Sequence, residues 1–575
     1  MARKRKSGLV LLHPPSVYDF RRMTILPGPV ADLIPSGPFF EMYPIGFASI
    51  GEYLERHGIP VRIVNLAARM VEEPGFDPEA FLSGIDARAF GVSLHWLPHA
   101  QGALEVARLC KELHPDIPVI MGGYSASFYH RELAAVPEVD FIVRGDSTEE
   151  PLRLLLSALD GDGDYRDIPN ITYRDPDTQE IKENPLRWVP DSLDHVGNIY
   201  MFMLRSAVRH LDFRGVRPFA GWWSYPVAAL LTCRGCSHDC SFCGGSRSAT
   251  GRYLARDLPA FRSPADVESD LATICGFTRA PVFFIGDIRQ PGDGYADSVL
   301  EAVARVSPVN TLVFEMFTPP PVDFFKKVAS SVPHFAFEIS PESHDHELRA
   351  MAGKHYSNRE LETSIGAALD AGAEKVDLFF MIGLAGQTRD SVMETVAYCE
   401  SLLARFGPSL NPLIGPLAPF LDPGSTWREK AGSSGYQVLF ETLKEHRAAL
   451  LEPHWKDRLG YRTDNMDRGD MVEITYSALL KLNRIRGKYG ATGIEEMRQT
   501  EAMLEKGVKL LERLDRLTAE GTVGREDLRE IDRESRELIG AGAALKKQIS
   551  WPVRGRRFRY LNIARMLIKD TLARR

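Results

Sequence analysis

Two stretches of the chain alternate short apolar runs with amphipathic ones, and a third carries only the longer period. In the first, Gly8–Leu12 (GLVLL), Val61–Val64, Phe90–Leu94, Val119–Met121 and Phe141–Val143 read as strands, with helices over 46–57, 103–113 and 149–159. Strand alternating with helix predicts a parallel sheet covered on both faces. Such sheets bind ligands in the loops at the carboxyl ends of their strands. Residues near 160–200, rich in Asp, Gly and Pro and including a hairpin pattern in NITYRDPDTQEIKE, read as an inter-domain connection. A second alternation starts near Pro226, with strands expected at 226–232, 281–286, 310–316, 334–340, 375–383 and 411–417 and helices such as 294–305 and 387–404. That is about six βα units, enough for a partial barrel whose chemistry sits on the loops after its strands. Beyond Pro423-Gly424, Leu504, Val508, Leu511 and Leu514 recur at helical spacing among charged residues, so 440–550 is predicted mostly helical. The expected class is α/β in three parts, 1–195, 196–430 and 431–575.

Composition changes this picture little: 44% hydrophobic and 26% charged over 575 residues is ordinary for a globular chain. A net charge of -7 gives no reason to expect nucleic acid as a partner. The start, MARKRKSGLVLLHPP, has too short an apolar run for a signal peptide and reads as a buried first strand. No run of eighteen apolar residues suggests a spanning helix. Of seven cysteines, Cys233, Cys236, Cys240 and Cys243 crowd together, while Cys110, Cys275 and Cys399 are scattered. One tight group in a large chain points to metal in a reducing cytoplasm, not to a disulfide framework.

Thiolates suit zinc and iron–sulfur clusters alike, so spacing has to decide. All four cysteines together leave only three residues between pairs, where zinc folds use about 15–20. The last three form C-x3-C-x2-C. Three thiolates on a four-iron cubane leave one iron open to the amino and carboxylate groups of S-adenosylmethionine, with Phe242 placed to shield the cluster and Cys233 a spare thiol. Structural zinc is the alternative.

C-x3-C-x2-C after the first strand of a βα series resembles the radical S-adenosylmethionine superfamily. PVFFIGD ends in Gly286-Asp287, near where that family holds the amino group of S-adenosylmethionine, although the usual Gly-Gly-Glu is absent. FEISPES resembles the family's "GIES" strand, which makes Ser340, Glu342 and Ser343 candidates for the ribose or carboxylate; a helix-cap role competes for Ser343. FFMIGLAGQT resembles the "GlPGet" turn, with Gly383 and Gly386 permitting a sharp turn and not catalysis.

In front, HPP, YPIGFASIGEYLERHG, GVSLHW, VIMGGYSAS and VRGDSTEEPLRLLL resemble the cobalamin (B12)-binding domains attached to radical enzymes. The resemblance implies a flavodoxin-like (Rossmann-type) domain that contacts cobalamin through Pro15, Gly46, His95, Trp96, Gly122, Gly123 and Gly145, then a partial (β/α)6 radical barrel and a mostly helical C-terminal domain. The same glycines also suit tight turns in any such sheet. The cobalt-ligating Asp-x-His-x-x-Gly motif is absent, so His95 as ligand, Trp96 as steric cover and a hydrogen-bonded His95 all stay open. The implied cofactors are a [4Fe–4S] cluster, S-adenosylmethionine and cobalamin. The implied reaction is class B methyltransferase-like: methylation of an unactivated carbon of a small-molecule or lipid substrate, with an external electron donor of flavodoxin or ferredoxin type. Cyclisation or rearrangement is the alternative, and a non-catalytic cobalamin carrier or sensor the rival from another class. The basic tail from Trp551 suits either peripheral contact with anionic lipid or a helix packed back on the barrel.

Overall fold

The computed structural model describes residues 7–26, 28, 44–161, 164–417, 419–520, 524–541 and 550–573. The basic residues 1–6, Tyr43 of the YPIG segment, parts of the helical stretch before 550 and the final two arginines lie outside the described residues.

The front sheet begins with five parallel strands: β1 (Ser7–His13), β2 (Val61–Asn65), β3 (Ala87–Ser93), β4 (Val119–Gly122) and β5 (Phe141–Val143), in the order β2-β1-β3-β4-β5. Successive residues of β1 are buried on opposite faces, Val10 and Leu12 in one core and Leu9 and Leu11 in another. Burial on both faces is why these strands read as continuous apolar runs. The hairpin near residue 170 is not a connection. Its strands β6 (Ile171–Arg174) and β7 (Ile181–Glu183) extend the sheet antiparallel from β5. Ile171 and Tyr173 join the same core as Phe141, and that burial draws the segment into the sheet despite its turn-rich flanks.

The central sheet is all parallel: β8 (Ala228–Leu231), β11 (Val282–Ile285), β12 (Leu312–Met316), β13 (Phe335–Glu342), β14 (Val376–Ile382) and β15 (Leu410–Pro416), ordered β15-β14-β13-β12-β11-β8. Between β8 and β11, a two-residue pair joins β9 (Cys233–Arg234) to β10 (Ala260–Phe261). Leu230, Phe284, Phe314, Phe337 and Leu378 belong to one large core with helix residues such as Leu271 and Val299. The alternate residues Val313 and Ala336 meet Trp551 instead.

Among the described residues after 430 helices predominate, with one small hairpin, β16 (Tyr436–Val438) with β17 (Tyr461–Thr463). Helix 468–488 carries Met471, Ile474 and Leu482 into the core against the central sheet, and helix 494–519 adds Leu504, Leu511 and Leu514. The tail then returns to the central sheet region. The Trp551 indole donates to Asp377 Oδ2 at 3.0 Å. Arg559 N donates to Phe277 O at 2.9 Å, and helix 560–573 lies against helices 264–277 and 199–210. No helix among the described residues is long and apolar enough to cross a membrane.

Candidate functional site

The cysteine loop leaves β8, turns at Gly235 and is closed by helix 247–254, whose cap Ser246 accepts from Ala249 N. Other elements fasten it. Ser241 N donates to Ala352 O (3.0 Å), Trp427 N to Ser241 O (2.8 Å), Gly244 N to Asp422 Oδ2 (2.9 Å) and Ser237 N to Gln290 Oε1 (2.8 Å). Backbone amides also reach sulfur: His238 N to Cys236 Sγ at 3.4 Å and Gly245 N to Cys243 Sγ at 3.3 Å. Burial pushes the Cys236 thiol up to about 11, raises Cys240 and holds Cys243 well above the ordinary thiol value. The negative charge of neighbouring cysteines adds to the rise at Cys236 and Cys243. Thiols in this state need a cation or metal to become thiolates. Among the described residues no three His, Cys, Asp or Glu side chains converge tightly enough for a single metal ion. A cubane makes no such demand, because each thiolate bonds a different iron. The donor set and its N–H···S bonds fit a cluster.

Cys233 points elsewhere. Its thiol lies 3.9 Å from Ile285 O and 3.7 Å from Gln290 Nε2, beside the end of β11. A Cβ on Gly286, at φ +89°, would come within 2.5 Å of that sulfur, so position 286 has no room for a side chain. Phe242 packs against Trp427, with ring centroids 5.9 Å apart.

The other sequence candidates separate. Gly286 N donates to Glu315 Oε2 at 2.6 Å. The Asp287 carboxylate is taken up internally, by Arg289 and by Phe317 N at 3.0 Å. Ser340 O and the Glu342 carboxylate both accept from Lys354 Nζ. Ser343 Oγ accepts from Asp345 N, and Asp345 itself caps helix 346–351. Gly383 and Gly386 form the turn after β14, where Gln387 Oε1 accepts from Gly383 N.

Lys354 is the main residue missed from sequence. Burial would lower its ammonium, but Glu342 opposes this and holds it above the ordinary lysine range, with the Cys240 thiol adding to that rise. Gly353 beside it is seated on the cysteine loop: a Cβ there would meet Asp239 O at 2.8 Å and Cys240 Cα at 3.0 Å. Nothing in MAGKHYS marks this contact, which joins residues more than 100 positions apart in the sequence.

Gly46, His95, Trp96, Gly122, Gly123 and Gly145 line one cavity of about 720 Å³ between the front sheet and the β8 edge of the central sheet. Its walls are mainly apolar, with Ser93, Asp146, Thr148, Arg217 and Arg234 among the few polar groups. That is the make-up of a site for a bulky cofactor. Pro15 is not on this wall; its carbonyl lies against Gly102. A Cβ on Gly123 would come within 2.6 Å of the His95 backbone at a φ of +119°, so that glycine lets the turns after β3 and β4 touch. His95 is pushed down to about 4 by burial and by His99, leaving a neutral imidazole at the cavity wall.

The cavity and the cysteine loop share a rim. Arg234, two residues before Cys236, lines the cavity and grips Glu149 of the front domain at 2.6 and 3.0 Å. Ser49 Oγ also donates to Glu149, at 2.8 Å. Burial alone would raise the Glu149 carboxyl, but Arg234 and His195 outweigh it and hold it well below the usual carboxylate range. Arg256 pairs with Asp146 alongside.

Residues 38–155 match the B12 binding domain, and residues 230–399 match the Radical SAM superfamily. The chain thus carries a cobalamin-binding domain followed by a radical S-adenosylmethionine domain, the pairing found in cobalamin-dependent radical S-adenosylmethionine enzymes. It is similar in fold to the radical S-adenosylmethionine methyltransferase TsrM of Kitasatospora setae, solved with cobalamin and a [4Fe–4S] cluster. The TM-score is 0.58 and the identity 16%, over 93% of this chain and 100% of that one. The 2-(S-pantetheinyl)-carbapenam-3-carboxylate methyltransferase of Streptantibioticus cattleyicolor is 28% identical over 145 residues, 24% of this chain and 19% of that protein. The hopanoid C-3 methylase of Methylococcus capsulatus is 26% identical over 215 residues, 36% of each. The matches thus span only about a fifth and a third of those two relatives.

Proposed function

We propose that this chain is a cobalamin-dependent radical S-adenosylmethionine enzyme that methylates an unactivated carbon of a small-molecule or lipid substrate. The observation that carries the reading is the shared rim: one buried ion pair, Arg234 with Glu149, ties the three-cysteine loop to the cavity of the front domain. In this reading 1–195 is a flavodoxin-like cobalamin-binding domain with its linker, 196–430 a partial (β/α)6 barrel and 431–575 a helical domain with a basic tail. The strand order β2-β1-β3-β4-β5 supports the first assignment and the six parallel strands support the second.

Cys236, Cys240 and Cys243 would hold a [4Fe–4S] cluster, the strand ends around Gly286, Ser340 and Glu342 would take S-adenosylmethionine, and the cavity around Gly46, His95, Trp96 and Gly122 would take cobalamin. When bound, these groups supply a 5′-deoxyadenosyl radical to remove hydrogen and a methyl group to replace it, with electrons from a flavodoxin- or ferredoxin-type donor. The chain's own residues position and insulate. Arg234 and Arg256 set the front domain against the cysteine loop. Phe242 and Trp427 pack together beside the loop and cover part of it. Lys354 brings a positive charge to Glu342 and to the thiol of Cys240. The apolar cavity keeps water from a reactive carbon.

Anaerobic turnover with methyl-labelled S-adenosylmethionine tests the reading. Methylation requires both 5′-deoxyadenosine and label in the product; deoxyadenosine with no labelled product rejects methylation in favour of cyclisation or rearrangement. A Cys240→Ala protein that keeps full function would instead mark a carrier or sensor.

A further inference from the structure

The outer end of the cavity opens at an unusual surface. Phe213, Trp222, Trp223, Phe558, Tyr560, and Leu567 belong to its lining. Around them Val208, Leu211, Phe213, Trp223, Tyr560, Leu561, Ile568 and Leu572 are between 41% and 83% exposed. They form one region. The Trp223 and Phe558 rings are 4.7 Å apart, Phe558 and Tyr560 6.3 Å, and Arg205 of helix 199–210 pairs with Asp570 of helix 560–573 at 3.2 Å. Helix 560–573 divides into three sectors at 100° per residue. Ile563, Met566 and Asp570 face the protein, Leu561, Ile568 and Leu572 face out, and the exposed Arg565 and Lys569 border the outward apolar stripe along one side. Exposed Arg556 and Arg557 precede it. An apolar stripe bordered by cations is the pattern of a helix lying in a lipid interface, and an apolar patch of this kind marks a docking surface.

We propose that this face, made by helix 560–573, the end of helix 199–210 and Trp223, seats on the surface of an anionic bilayer. The basic tail therefore does both things its sequence suits: it packs on the barrel with one sector and offers another to lipid. The cavity mouth then meets the membrane, so an apolar substrate passes from bilayer to cavity without crossing water; this second part rests on the proposed reaction, the docking itself does not.

Flotation of the full-length protein with vesicles of phosphatidylglycerol and phosphatidylcholine, against phosphatidylcholine alone, tests it. Wild type should float with the anionic vesicles and be released by salt. Leu561→Glu/Ile568→Glu should weaken partition by about a hundredfold or more, and Arg565→Glu/Lys569→Glu by about thirtyfold or more. These side chains are exposed, so an unchanged circular dichroism spectrum and unchanged cobalamin uptake are expected of both variants. The proposal is overturned if wild type stays unbound at low salt, or if Leu561→Glu/Ile568→Glu floats like wild type. Self-association that this variant abolishes, without vesicle binding, also overturns it and assigns the face to a second copy. Cleavage of S-adenosylmethionine to 5′-deoxyadenosine by the same proteins reports on the reaction separately.

Discussion

Replacing Arg234 by Met leaves the Glu149 carboxylate, 0% exposed, without its guanidinium partner. Removing one member of a buried pair costs about 3–5 kcal/mol, because the remaining charge stays desolvated. The pH dependence gives the sharper test. In the wild type the Glu149 carboxyl lies below its ordinary 4.5, so the pair stabilises the fold above that pH and its contribution fades as pH falls through the lowered value. In Arg234→Met only His195 still opposes burial, and the carboxyl is expected to rise above 4.5, so the variant should lose stability as pH rises through the new value. The gap between the two proteins should therefore be wider at pH 8 than at pH 5. Differential scanning calorimetry reads it: about 2–4 °C per kcal/mol for a domain of this size predicts a fall on the order of 10 °C at pH 8 in the front-domain transition. Glu149→Gln in the Arg234→Met background should recover part of the loss by removing the orphaned charge. A drop of only a degree or two, equal at both pH values, would refute the assignment of this pair as the lock between the domains.

Cys243→Ala should lose the iron and the visible charge-transfer absorbance of anaerobically reconstituted protein, whereas Cys233→Ala should keep both, since its thiol faces Ile285 O and Gln290; iron analysis and electron paramagnetic resonance check this. Gly123→Ala places a Cβ 2.6 Å from the His95 backbone at φ +119° and should cost about 1–3 kcal/mol, read as a lowered melting temperature with weaker cobalamin retention. Trp551→Ala removes a ring that is 7% exposed and leaves Asp377 without its indole donor; a loss of about 3–5 kcal/mol is expected in the barrel's thermal transition.

The candidate cysteine site was legible in the chain because it depends on local spacing. Cys236, Cys240 and Cys243 lie within eight positions on one loop, and the strands that carry that loop announce themselves by period. Parallel strands buried on both faces, such as Gly8–Leu12 and Val376–Ile382, leave apolar runs that no exposed segment would keep. What the sequence could not decide were contacts whose partners are far apart along it. Lys354 reaches the cysteine loop only because β13 and β8 belong to one sheet. Arg234 meets Glu149 only because two domains close on each other, 85 positions apart. The hairpin at 171–183 looked like a linker because its flanks are polar; its place at the sheet edge comes from Ile171 and Tyr173 finding the core beside Phe141. Periodicity and spacing are properties of neighbours along the chain, whereas a buried charge is matched to whichever partner the packed fold brings to it.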